Sequence, residues 1–146
     1  MLDRLLAANE EFAQNEPADL PALPRRNLVI LTCMDHRVAP LSALGLEPGD
    51  AMVIRNAGGR VTPAFLDDLE ILAKVAEARG GNLADLELLL IQHTDCGAAK
   101  VAGVTDPGEA LRADIGTLAA DPRVPEGLSV TGLIYDTATG RITLSG

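Results

Sequence analysis

Two short apolar runs constrain the fold of this chain more than any other feature. Residues 27–32 have the sequence NLVILT and residues 86–92 have the sequence LELLLIQ. A continuous apolar run rich in aliphatic side chains is typical of a strand that is buried on both faces. Parallel sheets bury both faces because helices pack on each side of them. These runs therefore predict an α/β fold.

The other predicted elements alternate along the chain. Strands are predicted at 27–32, 51–54, 86–92, 129–135 and 141–144, and helices at 1–14, 39–44, 62–79 and 109–120. In the clearest helix Thr62 is the expected N-cap, Pro63 takes the first helical position and Gly80 follows the end. Residues 136–140 predict a hairpin turn before the last strand. We expect a mainly parallel central sheet with helices on both faces and one antiparallel edge strand.

Composition predicts one soluble domain over residues 1–146, in which 1–24 form an N-terminal amphipathic helix and connector. Apolar residues make up 47% and charged residues 23% of the chain, as in ordinary globular proteins. A net charge of −9 and an aromatic content of 2% argue against nucleic-acid partners, which bind basic and aromatic surfaces. No run approaches the ~18 apolar residues of a membrane span, and the N-terminus lacks a signal-peptide core. We expect a cytoplasmic protein with no membrane partner and with reduced cysteines.

Two motifs follow the buried strands and concentrate the chemistry of the chain. The first is Cys33-x-Asp35-x-Arg37, and the second is His93-x-x-Cys96. Sites in open α/β sheets lie beyond the carboxyl ends of the strands, which is where both motifs fall. Two thiolates and one imidazole make a three-ligand zinc site with one open position, as catalytic zinc requires. Asp35 and Arg37 add a hydrogen-bond acceptor and a rigid cationic fork.

Less specific interpretations of these motifs remain open at this point. Each pattern alone recurs by chance, so two unrelated free cysteines and a structural histidine would also fit. A non-catalytic zinc-stabilised domain and a redox pair of Cys33 with Cys96 are further alternatives. The intact Asp35 and Arg37 count against the structural zinc site, which normally has four protein ligands.

Taken together, the motifs resemble a β-class carbonic anhydrase of the small, minimal type. The two motifs above are joined by Arg55-Asn56-Ala57-Gly58-Gly59 and by the closing segment VTGLIYD at 130–136. The resemblance extends from about Leu28 to the end of the chain. It implies a lyase that catalyses the reversible hydration of carbon dioxide to bicarbonate and a proton.

The resemblance also implies roles for individual residues. Cys33, His93 and Cys96 would bind one zinc ion per chain, with water or hydroxide in the fourth position. Asp35 and Arg37 would form a catalytic dyad beside the metal. In closed forms of the family the residue matching Asp35 becomes a fourth ligand. That subgroup has a tryptophan in its bicarbonate pocket, and this chain has no Trp, so we expect the open form.

Substrate and assembly are less constrained by the motifs. Some relatives hydrolyse carbon disulfide or carbonyl sulfide with the same zinc ligands, so a sulfur-substrate hydrolase is the alternative function. Members of the family are homodimers or higher homo-oligomers in which the N-terminal helix reaches a partner. The amphipathic pattern from Leu2 to Phe12 agrees with that arrangement, although the helix would equally pack on its own domain.

Several residues near the motifs have two interpretations each. Asn56 and the glycines at 58–59 fit a loop of close backbone approach, with a phosphate-binding loop as the rival. His36 would shuttle protons or point elsewhere. Asp95 is expected as a turn or cap residue rather than a ligand. Arg55 would line the cleft or an interface, or form a structural ion pair.

Overall fold

The computed structural model describes residues 1–15 and 20–145, and it contains one five-stranded sheet. The strands are β1 (Leu28–Cys33), β2 (Ala51–Asn56), β3 (Glu87–His93), β4 (Ser129–Tyr135) and β5 (Ile142–Leu144). Their order across the sheet is β2-β1-β3-β4-β5. The first four strands are parallel, and β5 pairs with β4 in the antiparallel direction. This arrangement confirms the predicted fold class.

One helix precedes the sheet, and the other four occupy the connections between the parallel strands. The helices are α1 (Leu2–Asn15), α2 (Pro40–Leu44), α3 (Pro63–Ala78), α4 (Gly97–Val101) and α5 (Pro107–Ala120), with a 3-10 turn at Leu83–Asp85. Neither α4 nor the 3-10 turn was predicted; α2 is as short as α4, but Pro40 at its first position marks its start. α5 starts two residues earlier than predicted because the Asp106 side chain accepts a hydrogen bond from the Gly108 N–H and caps it.

Three strands extend beyond their predicted ends, and β3 does so by including His93. β1 includes Cys33, and β2 continues through Arg55 to Asn56. Parallel pairing of Cys33 with Asn56 explains the added length of β1 and β2. The first motif therefore begins inside the sheet.

The cap of α3 confirms the predicted helix. The Thr62 hydroxyl accepts a hydrogen bond from the Phe65 N–H at 3.2 Å, which satisfies one of the free donors of the first turn. The helix buries one face against the sheet; its members are Phe65, Leu66, Leu69, Leu72 and Ala76.

Alternate residues of the central strands fill two core layers. Val29 and Leu31 of β1 pack into one layer beneath α3 and α5, and Ile30 packs into the other layer beside α2. Leu90 and Ile91 of β3 divide between the layers in the same way. Burial on both faces is what the continuous apolar runs predict.

Every residue of α1 is exposed in this chain. Residues 16–19 of the predicted connector lie outside the described residues. Within the described part of the chain, no helix has both the length and the apolar character needed to cross a bilayer.

Candidate metal centre

The sheet brings three predicted metal ligands together. Cys33 ends β1 and His93 ends β3, and these strands are parallel neighbours, so both side chains lie at the same edge of the sheet. Cys96 follows at the N-cap of α4. The exposed fractions of Cys33, His93 and Cys96 are 3%, 2% and 5%. The three side chains are therefore almost completely buried.

The spacing of the donor atoms fits one tetrahedral metal ion. The two sulfurs are 3.9 Å apart, and all three donor atoms lie within 4.8 Å of one another. Two sulfurs at ~2.3 Å from zinc with a tetrahedral angle would be about 3.8 Å apart. The observed separation is far longer than a disulfide bond, and both cysteines are free.

The imidazole of His93 presents an unused nitrogen to this cluster. Its Nδ1 lies 2.9 Å from the Thr94 carbonyl oxygen, and a carbonyl only accepts, so Nδ1 carries the ring proton. Among the residues that the structure describes, Nε2 of His93 is the buried side-chain polar atom without a hydrogen-bond partner. Leaving such a lone pair unsatisfied is costly, and a metal ion would satisfy it.

Burial makes Cys33 a weak acid in the absence of a cation. Desolvation raises the pKa of the Cys33 thiol, and hydrogen bonds from the backbone N–H groups of Asp35 and Gly58 partly oppose that rise, while Cys96 adds to it. A coordinated metal ion overcomes the raised pKa of Cys33 because it deprotonates a thiol ligand outright. The donor set thus favours a cation at this position.

Asp35 and Arg37 form a two-pronged ion pair beside the cluster. Nε of Arg37 donates to Oδ1 of Asp35 at 3.0 Å, and Nη2 donates to Oδ2 at 2.8 Å. The backbone N–H of Arg37 adds a third bond to Oδ1 at 2.9 Å. These contacts hold the pKa of the Asp35 carboxyl well below its usual range, so the group is ionised and its orientation is fixed.

Arg37 also joins the first motif to the second. Its Nη1 donates to the Asp95 carboxylate at 2.9 Å, and its Nη2 donates to the Asp95 carbonyl oxygen at 3.0 Å. Lys100 forms a further ion pair with Asp95. Hydrogen bonds from Lys100 and then from Arg37 lower the pKa of Asp95 to about 2. Asp95 lies in a turn, as predicted, but its pairing was not foreseen because sequence spacing carries no sign of it.

Arg55 has a role that neither prediction described. Its Nη1 donates to the carbonyl oxygens of Cys33 at 3.0 Å and Asp35 at 3.4 Å, and its Nη2 donates to that of Val38 at 2.7 Å. The Arg55 guanidinium therefore fixes the backbone of the first motif through hydrogen bonds to three carbonyl groups.

The glycine loop is a close backbone approach, as predicted. Gly59 has a φ of +61°, and a Cβ there would lie 2.7 Å from the Cys33 nitrogen and 2.8 Å from the Thr32 carbonyl carbon. The Asn56 side chain closes the loop through two hydrogen bonds with the Arg60 backbone, at 2.7 and 2.8 Å. Only glycine fits at position 59 without moving the strand that carries Cys33.

A cavity of about 260 Å³ opens beside the cluster. Its lining includes His93, Asp95, Cys96, Lys100 and Val104. His36, in contrast, has a side chain that is 94% exposed, with Nδ1 3.9 Å from the Asp35 carboxylate. The cavity offers room for a small molecule at the second motif, and His36 lies on the solvent side of the dyad.

Comparison with known proteins finds relatives that are named carbonic anhydrases or carbon disulfide hydrolases. The profile of the family described as carbonic anhydrase matches residues 28–123. Beta-carbonic anhydrase 1 of Mycobacterium tuberculosis is 29% identical over 161 residues, covering 96% of this chain and 94% of that protein. A carbon disulfide hydrolase of Saccharolobus solfataricus is 44% identical over 99 residues, covering 65% of this chain and 45% of that protein.

The solved structures agree with the sequence relatives. The crystal structure of carbonic anhydrase from Streptococcus mutans matches with a TM-score of 0.81 and 33% identity, covering 99% of this chain and 97% of that chain. The similarity thus extends over the sheet, the helices and both motifs.

Proposed function

The chain belongs to the β-class carbonic anhydrase family, whose members are lyases, and on that basis we propose that it catalyses zinc-dependent, reversible hydration of carbon dioxide to bicarbonate and a proton. One observation carries the proposal. The lone pair of His93 Nε2 is buried beside two free thiols, and the ionised Asp35–Arg37 pair lies next to them.

Cys33, His93 and Cys96 are the residues proposed to hold the zinc ion. Bound there, the ion would acidify a water so that hydroxide is available near neutral pH. The two thiolates offset the charge of the metal. The cavity of about 260 Å³ beside the ligands has room for small molecules such as carbon dioxide and bicarbonate.

Asp35 is the proposed acceptor for the hydrogen of the attacking oxygen. Accepting that hydrogen directs an oxygen lone pair towards the carbon of the substrate. Arg37 is the proposed orienting residue, because its two donating nitrogens keep the Asp35 carboxyl group ionised and fix the plane of the carboxylate. The same contacts support the open form of the site, since Asp35 would have to leave Arg37 to become a fourth ligand.

A second candidate function is hydrolysis of carbon disulfide or carbonyl sulfide. The observation in its favour is the 44% identity with the carbon disulfide hydrolase from Saccharolobus solfataricus. Both reactions need an activated hydroxide and a linear electrophile, so the same residues serve either one. Release of hydrogen sulfide from carbon disulfide by the zinc-loaded protein, at a rate above that of carbon dioxide hydration, would favour this alternative.

We further propose that residues 1–146 act as one catalytic domain in a cytoplasmic homodimer or higher homo-oligomer. The exposed apolar side chains of α1 support assembly; they are Leu2, Leu5, Leu6 and Phe12. The two free thiols support a reducing compartment.

Stopped-flow carbon dioxide hydration by zinc-loaded protein tests the function. We expect a rate that rises between about pH 6 and 9, the range in which zinc-bound water ionises. Cys96→Ser should abolish that rate by removing a ligand. A rate equal to the uncatalysed blank, with one zinc bound per chain, would contradict the proposal.

A further inference from the structure

Thr94 and Thr137 form a compact ring of hydrogen bonds behind His93. The backbone N–H of Thr137 donates to Oγ1 of Thr94 at 3.0 Å, and the two hydroxyl oxygens are 3.1 Å apart. The Thr137 hydroxyl also lies 3.2 Å from the Thr94 carbonyl oxygen. That carbonyl is the acceptor for Nδ1 of His93, so the ring ends on the group that orients the imidazole.

The hydrogens of this ring have one consistent arrangement. The Thr94 hydroxyl donates to Oγ1 of Thr137, and the Thr137 hydroxyl donates to the Thr94 carbonyl, so each hydroxyl donates once. The Thr94 N–H is already used, because it donates to the Tyr135 carbonyl at 3.0 Å. Thr94 is therefore fixed at its amide, its carbonyl and its side chain.

The turn that carries Thr137 is itself well anchored. The Asp136 carboxylate accepts hydrogen bonds from the Ala138 and Thr139 N–H groups at 2.8 and 2.9 Å. The Asp136 N–H and carbonyl are bonded to Arg141 and Gly140, each at 2.8 Å. Thr137 thus approaches Thr94 from a fixed point on the β4–β5 hairpin.

We propose that Thr137 is a positioning residue for the metal ligand His93. By holding the Thr94 carbonyl in place, it keeps the ring proton on Nδ1 and the Nε2 lone pair directed at the two sulfurs. The inference rests on the proposed function, since it assigns His93 as a ligand. Groups that orient a ligand in this way commonly change metal affinity by about 10- to 100-fold.

The chain offers a matched control in the same turn. Thr139 lies two residues further on, is exposed, and its hydroxyl accepts a hydrogen bond from the Arg141 N–H at 3.3 Å. Thr139→Val removes a hydroxyl from the hairpin without touching Thr94. Thr137→Val removes the hydroxyl that reaches the carbonyl, and Thr137→Ser retains it.

The first experiment measures zinc affinity by competition with a chromophoric chelator in the full chain. We expect Thr137→Val to weaken zinc binding by about tenfold or more. Thr139→Val should bind as the wild type does, and Thr137→Ser should recover most of the loss. Equal affinity in the Thr137→Val and wild-type proteins would overturn the proposal, as would equal losses in the Thr137 and Thr139 valine variants.

The second experiment needs no valine variant. Long-range ¹H–¹⁵N NMR of the zinc-free chain at about pH 8 reports which ring nitrogen carries the proton. We expect His93 to be protonated on Nδ1, with its signals assigned by their persistence in His36→Gln. A wild-type ring protonated on Nε2 would overturn the inference. If the wild-type chain bound no zinc, the proposed function would fail, and this measurement would still test the orientation of the ring.

Discussion

At the scale of single residues, the candidate centre depends on one arginine that is shared between two motifs. Arg37 binds Asp35 through two side-chain nitrogens and binds Asp95 through its carboxylate and carbonyl oxygens. A lysine could not reproduce these contacts because it lacks the planar fork. The geometry of the dyad is therefore set from both motifs at once.

Asp35→Asn tests the proposed role of the carboxylate. The variant keeps the size of the side chain but loses its charge, so it holds Arg37 less firmly and accepts hydrogen bonds less strongly. We expect one zinc per chain and a kcat/KM for carbon dioxide hydration that falls by about 100-fold or more, the range for a positioned proton acceptor. Metal analysis and stopped-flow measurement give the two values. Loss of zinc together with activity would identify Asp35 as a ligand instead.

At the scale of elements, the outcome of prediction depended on whether an element leaves a local signature in the sequence. The apolar runs predicted β1 and β3 because double-sided burial leaves a continuous signature, and Thr62 predicted the start of α3 through its cap. The helix α4 was missed because no proline marks its start as Pro40 marks that of α2, and the hydrogen bonds of Arg55 were missed because they depend on tertiary contacts.

For the candidate site as well, some residues were predicted from the sequence and others were identified only from the structure. Cys33, His93 and Cys96 could be grouped in advance because parallel strands end at one edge of a sheet. Thr137 could not be placed there, because its contact with Thr94 joins residues 43 positions apart through a turn of ordinary composition. Supporting contacts of this kind become visible only in three dimensions.

Gly59→Ala tests the packing of the glycine loop against β1. An added Cβ would lie within 3 Å of the Thr32 and Cys33 backbone, and the positive φ adds strain. Gly45→Ala is a matched control, because Gly45 has a φ of +65° and an added Cβ there would meet nothing within 4 Å. We expect Gly45→Ala to lower the free energy of unfolding by about 1 kcal/mol and Gly59→Ala to lower it by a clearly larger amount. Urea denaturation of both variants checks this, and equal losses would contradict it.

At the scale of the whole molecule, acid stability depends on carboxylates whose partners lie far along the chain or across a turn. The Arg123 side chain, with its backbone N–H, lowers the pKa of Asp121 to about 2, and Arg123 also binds Asp67 on α3. A carboxyl whose pKa is lower in the folded state stabilises the protein above its unfolded pKa of about 4. That contribution is lost as the pH falls through the folded value.

Asp121→Asn should therefore change the pH dependence of stability. We expect the variant to be less stable than wild type at pH 6, with the difference shrinking between about pH 4 and pH 2. Urea denaturation at fixed protein concentration, in the presence of a chelator so that metal release does not contribute, gives both curves. A difference between the two proteins that persists unchanged at pH 2 would show that the charge of Asp121 is not its cause.

The exposed apolar side of α1 bears on the assembly of the whole molecule. Leu5→Glu with Phe12→Glu places charges on this side, whereas Ala7→Glu adds a charge about 200° around the helix and serves as the control. We expect the double variant to lower the molar mass in light scattering towards that of one chain, and Ala7→Glu to leave it unchanged. A wild-type protein that already has the mass of one chain would contradict the proposed assembly.

The topology of the site also bears on when the proposed zinc site can form. Cys33 and Cys96 are 63 positions apart, and His93 reaches Cys33 only through the pairing of β1 with β3, whose bonded residues Thr32 and Ile91 are separated by 59 positions. Pairings of that range form slowly, after the local elements. The complete set of proposed zinc ligands therefore forms only once β1 has paired with β3. Occupancy of all three ligands would thus report that these two strands have closed into the sheet.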